Sequence, residues 1–135
     1  MQIYIALFAL VMVSSSMLAF AETGNNVTAS GYILSYNNST HAGLWAATAD
    51  LLESKGDLIS VFKNDAGDIL VVTVRGDKIT VDEDNLTIVG TGFVAKNSVL
   101  LREGNGTAII NNDTVEVRVN GDIVISGKTV SFETT

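Results

Sequence analysis

Six Asn-x-Ser/Thr triplets carry the most specific chemistry in this chain. They start at Asn26, Asn37, Asn38, Asn85, Asn105 and Asn112. In an exported protein this triplet accepts N-linked glycans. Eleven asparagines follow residue 21, and about two such triplets would arise among them by chance under that rule. Asn37 and Asn38 are adjacent, so at most one of them would be modified. The competing reading is that asparagine and threonine are simply common in the turns and strands of β proteins.

Carboxylates offer a second chemistry. Asp82, Glu83 and Asp84 stand together, and Asp65 and Asp68 share the stretch Asn64–Asp68. Calcium takes about six to eight oxygen ligands, so Asp82–Asp84 is a candidate calcium site. Neither stretch has the alternate acidic positions and distal glutamate of an EF-hand, and solvated turn residues are the simpler reading of both. Apart from calcium, no cofactor is expected.

Catalysis finds little to work with. His41 is the single histidine and there is no cysteine. No serine lies in a Gly-x-Ser-x-Gly elbow. Paired carboxylates for glycoside cleavage are recognised by their separation in space, and the sequence singles out no pair. A non-enzyme is the expectation.

Aromatic rings stack on the apolar faces of sugars, and Tyr32, Tyr36 and Trp45 lie near one another in sequence. Gly31–Tyr36 reads as a strand that places both tyrosines on one face. Trp45, among Leu44, Ala46, Ala47 and Leu51, reads more simply as core.

These candidates need a scaffold. Residues 1–21 read as a signal peptide. Ile3–Val13 is an unbroken apolar run, and Ala19 and Ala21 supply the small residues that a signal peptidase requires one and three positions before its cut. The alternative is a retained membrane anchor, since Ile3–Ala21 approaches the roughly 20 residues that cross a bilayer. Cleavage leaves 114 residues (135 less 21), one domain by length. Formal net charge is −7, which repels phosphate backbones and argues against nucleic acid as a partner. Without cysteine, stability rests on packing and on backbone pairing.

The expected fold is all-β: a single domain, 22–135, of short antiparallel strands in a sandwich, a barrel or a β-roll. Runs rich in Val, Ile and Thr, such as Ile69–Val74 and Val115–Val119, alternate with turn signals. Val115, Val117 and Val119 face one way while Glu116 and Arg118 face the other. Gly-Asp pairs at Gly56-Asp57, Gly67-Asp68, Gly76-Asp77 and Gly121-Asp122 mark turns in this reading, as do Gly90–Gly92, Gly104–Gly106 and Gly127-Lys128. Asn120-Gly121 suits a type I′ hairpin. His41–Ser54 carries Leu44, Trp45, Ala47, Leu51 and Leu52 near the helical period and predicts one short helix, with a strand pair as the alternative. Asp77–Gly90 resembles a coil of the parallel β-helix proteins and a rung of the periplasmic lipopolysaccharide-transport β-rolls. That likeness implies a solenoid, although the turns here are irregularly spaced.

Taken together, the sequence points to an acidic, secreted or cell-surface structural protein. It would act by associating with itself or with another surface protein, carry glycans, and meet a membrane only through a retained leader. Val27–Tyr36 would be the strand donated to a neighbour. A secreted carbohydrate-binding module is the second expectation, and a carboxylate-dependent hydrolase the third.

Overall fold

The computed structural model describes residues 26–37, 39–82 and 85–134. The leader therefore lies outside the described residues. Eight strands follow one another: β1 (Asn26–Tyr36), β2 (Ser39–Asp50), β3 (Lys55–Lys63), β4 (Ile69–Asp82), β5 (Asn85–Lys96), β6 (Val99–Ile110), β7 (Thr114–Val119) and β8 (Asp122–Thr134). Each pairs antiparallel with the next, and β8 returns to β1. The domain is thus a closed up-and-down barrel rather than a sandwich or a roll. No strand is left as an edge strand, although Val99–Gly104 of β6 run past the end of β7.

Alternation explains the closure. Val72 and Val74, Leu86 and Ile88, Ala108 and Ile110, and Val115, Val117 and Val119 are all fully buried, while the residues between them face outward. Eight strands give an interior that side chains can fill. Apolar residues fill it here, the reverse of a membrane-spanning barrel, whose apolar band lies outside around a polar interior.

Glycines set the curvature. Gly56, Gly76, Gly90 and Gly106 lie directly opposite one another across β3, β4, β5 and β6. A Cβ on Gly90 would stand 2.0 Å from the Arg75 carbonyl oxygen, and one on Gly106 would stand 2.5 Å from the Gly92 nitrogen. Neighbouring backbones close on each other along this row. The sheet can coil there only because no side chain intervenes. The Gly-Asp pairs at 56–57 and 76–77 are therefore bends within strands rather than turns, and Gly90–Gly92, Gly104–Gly106 and Gly127-Lys128 also lie inside strands. Gly67 and the Asn120-Gly121 pair do turn the chain. Positive φ at Asn120 (52°) and Gly121 (84°) fits the type I′ hairpin.

Three further expectations change. His41–Ser54 contains no helix: it is most of β2 followed by a turn at Leu51–Ser54. Trp45, Ala47 and Ala49 are buried at a spacing of two, which is the strand period. Asp77–Gly90 is an antiparallel hairpin between β4 and β5, not a solenoid coil. Finally, β1 has β2 on one side and β8 on the other. Val27–Tyr36 has no free edge to donate.

One end of the barrel is tied by side chains. The Asp68 carboxylate accepts hydrogen bonds from Asn97 Nδ2 (2.8 Å) and Asn64 Nδ2 (3.2 Å), and Lys96 Nζ lies 3.4 Å away. Asn97 Oδ1 in turn accepts from the Ile69 backbone N–H at 2.9 Å. The β3–β4 and β5–β6 turns are so joined. The asparagine hydrogen bonds, that from Asn97 first and then that from Asn64, hold the Asp68 carboxyl below its ordinary range, with Lys96 adding a smaller pull. A depressed folded pKa gives stability that is complete above the unfolded value and is lost as pH falls through the folded one. Asp68→Asn is therefore expected to lower Tm at neutral pH and to flatten the decline of Tm in acid. Heat unfolding across an acid pH series measures both, and parallel curves for variant and wild type would refute the linkage.

Candidate functional site

Part of the exposed apolar surface lies on the outer wall of β1 to β3. Cross-strand register sets Tyr32 beside Leu44, Leu44 beside Val61, Val61 beside Val71, Val71 beside Ala95, and Ala95 beside Leu100. All six side chains point away from the core. Leu44 is 58% exposed and Tyr32 44%. Four residues nearer the other end, the wall is polar: Thr48, Asp57, Arg75, Thr91 and Asn105 follow one another in register. The outer wall is thus banded, apolar and then polar.

Leu44 lies between two hollows. One, of about 290 Å³, is lined by Ser30, Gly31, Tyr32, Leu44, Trp45, Ala46 and Val130. The other, of about 310 Å³, includes Leu44, Val61, Phe62 and Ile69. Val130 reaches the first hollow because β8 bulges there: two residues of β8 stand against one step of β1 between Ser30 and Gly31. Contiguous exposed apolar surface of this kind marks contact sites.

Of the three candidate aromatics, only Tyr32 faces this surface openly. A second bulge, between Ile33 and Ser35, changes the phase of β1. Tyr36 therefore turns toward the core, with its ring centroid 4.8 Å from that of Phe62. The two tyrosines do not share a face. Trp45 is 1% exposed, and its Nε1 donates to the Lys128 carbonyl at 3.0 Å. It is a core residue, so the three-ring sugar platform is not formed.

Asp82 is exposed at the end of β4, while Glu83 and Asp84 lie outside the described residues. Among the described residues, no three His, Cys, Asp or Glu side chains gather as a metal-holding group. His41 lies in β2. Asp65 sits exposed in the β3–β4 turn, and its neighbour Asp68 is committed to the network described above.

A third hollow, with chemical character, lies beside the β7–β8 turn, lined by Asn37, Arg102, Arg118, Gly121, Asp122 and Ile123. Both guanidiniums already have carboxylate partners. Arg102 Nη2 donates to Asp122 Oδ2 at 2.8 Å, and Arg118 Nε to Glu116 Oε2 at 3.1 Å. Their positive charge is matched locally, which weakens the hollow as an anion site.

The sequence reading missed Leu44 as a site residue. One signal was present: Ala42, Leu44 and Ala46 alternate with Trp45, Ala47 and Ala49, so both faces of this strand are apolar and one of them has to meet something other than the core.

By fold and surface, the chain is a closed eight-stranded antiparallel barrel with a packed interior and an apolar patch on its outer wall. No family model matches it, and no curated protein and no solved structure matches it either.

Proposed function

We propose that this is an exported, non-catalytic surface or envelope protein whose barrel serves as an interaction module. It associates with itself or with a neighbouring surface protein through the outer wall of β1–β3. The observation that carries this reading is Leu44, more than half exposed between two apolar hollows and in register with Tyr32 and Val61. Contact is made by side chains on the wall, since β1, β2 and β3 each have a paired strand on both sides. A filled interior supports the same reading, because a barrel that carries a small ligand needs an open one.

Light scattering of residues 22–135 across a concentration series tests self-association. The measured mass is expected to rise beyond one chain, and Leu44→Asp is expected to hold it at one chain with unchanged circular dichroism. A wild-type mass fixed at one chain would overturn self-association and leave a separate partner. Tyr32 keeps a second reading open. Its exposed ring borders the hollow with Val130 and suits stacking on the apolar face of a sugar. A glycan array with no binders would remove that reading.

A further inference from the structure

The asparagines of this barrel divide into two groups by what their side chains do, and the division follows the Asn-x-Ser/Thr triplets. Four described asparagines lie outside any triplet: Asn64, Asn97, Asn111 and Asn120. Each holds backbone in place. Asn64 Oδ1 accepts from the Asp68 N–H at 2.9 Å, and Asn97 Oδ1 from the Ile69 N–H at 2.9 Å. Asn111 Oδ1 accepts from the N–H groups of Asp113 (2.9 Å) and Thr114 (2.8 Å), and Asn120 Oδ1 from that of Asn105 (3.0 Å). These are the local side-chain to backbone bonds that make asparagine common in turns.

Three of the triplet asparagines behave differently. Asn105 and Asn112 are exposed, and among the described residues their side chains form no hydrogen bond. Asn85 is exposed too, and its Oδ1 meets only Asn111 Nδ2, at 3.4 Å. At the β6–β7 turn the contrast falls on adjacent residues: Asn111 shapes the turn and Asn112 projects from it. Turn-building therefore accounts for the asparagines without a triplet and fails to account for these three. Two described triplet asparagines are set aside: Asn37, because its positive φ of 48° is itself a backbone reason for asparagine, and Asn26, which is half-buried at the start of β1 and has a partner of its own.

We infer that Asn85, Asn105 and Asn112 are N-glycosylation sites. The inference rests on the export reading above and is independent of the apolar wall. In each case the side-chain amide nitrogen attacks the anomeric carbon of a polyprenyl-phosphate-linked oligosaccharide, supplied with its transferase by the exporting cell. The new bond joins nitrogen to that carbon. The bond from the carbon to the carrier's phosphate oxygen breaks, its electron pair leaves with the phosphate, and the amide gives up one proton. The folded barrel can hold all three glycans without disturbing its core. Their placement is one-sided. They stand on β5, β6 and the turn before β7, and in a ring of eight strands β5 and β6 lie across from β1 and β2. The glycans would cover the back of the barrel and leave the Tyr32–Leu44 wall bare.

The test secretes residues 22–135 behind the host's own export signal, in a host that glycosylates asparagine, with one established acceptor triplet appended as an internal control. Glycopeptide mass spectrometry is expected to find sugar on Asn85, Asn105 and Asn112. A glycosylated control with these three bare would overturn the inference, whatever the leader does in its own cell. A second readout uses unglycosylated protein. Asn105→Gln and Asn112→Gln are expected to leave Tm unchanged, while Asn111→Gln and Asn120→Gln lower it. An equal loss from all four would show that the triplet asparagines are structural and would overturn the division on which the inference stands.

Discussion

Alanine at Gly90 is expected to be among the most costly single-methyl changes in this barrel. The added carbon would lie 2.0 Å from the Arg75 carbonyl oxygen and 2.7 Å from the Gly76 Cα. Both are backbone atoms of β4, directly across from β5, so no side chain can rotate away to make room. The strands themselves have to separate along the glycine row. Overpacking usually costs about 1–3 kcal/mol, and more where the neighbours cannot give, so Gly90→Ala belongs at or beyond the upper end. At about 4–8 °C per kcal/mol for a small domain, Tm would fall by about 10 °C or more. Val89→Ala is the matched control. Val89 neighbours Gly90 but is partly exposed on the outer face, so its effect should stay within about 0.5 kcal/mol. Comparable losses for the two would mean that the glycine row does not set the curvature.

The same row shows why only part of this fold could be read from the sequence. Alternation is local, so Val115, Val117 and Val119 announced an inward face before any partner strand was known. Asn120-Gly121 was equally legible, because a type I′ turn makes its demand on two adjacent residues. Gly76-Asp77 offers the same residue types and means something else. Its glycine answers to Gly56 and Gly90, which are 20 and 14 positions away in sequence, and only register brings the three together. The stretch from His41 to Ser54 went wrong through propensity. Its alanines favour helix in isolation, yet Trp45, Ala47 and Ala49 are large and small residues fitted to successive levels along the inner face of a narrow barrel, where packing overrides propensity.

The candidate site was less legible than the fold, again for non-local reasons. One bulge in β1 separates Tyr32 from Tyr36, and nothing in Ile33-Leu34-Ser35 signals it. Leu44 on its own is an ordinary surface leucine. It becomes part of a surface only when the ladders place Tyr32 and Val61 beside it and the β8 bulge lifts Val130 into the same hollow.

That β8 bulge also leads to the second large effect, at the single tryptophan. Between Ser30 and Gly31 the β1–β8 ladder slips by one residue, which leaves the Lys128 carbonyl to accept from Trp45 Nε1 at 3.0 Å. The indole reaches it because residue 31 has no side chain. A Cβ there would lie 1.9 Å from the Lys128 oxygen and 2.8 Å from Nε1. Trp45→Ala is expected to cost about 3–5 kcal/mol through the cavity it opens. Trp45→Phe keeps most of the packing and loses the donor, so its cost should be about 1–3 kcal/mol, that of a carbonyl left without its partner. Gly31→Ala attacks the same bond from the other side. The double variant with Trp45→Phe should then lose less than the two single losses added together, because the bond can be broken only once. Urea unfolding followed by far-ultraviolet circular dichroism measures all four proteins, since fluorescence loses its only indole in two of them. Strict additivity would mean that Gly31 and Trp45 act separately, and the tryptophan's worth would then lie in its packing alone.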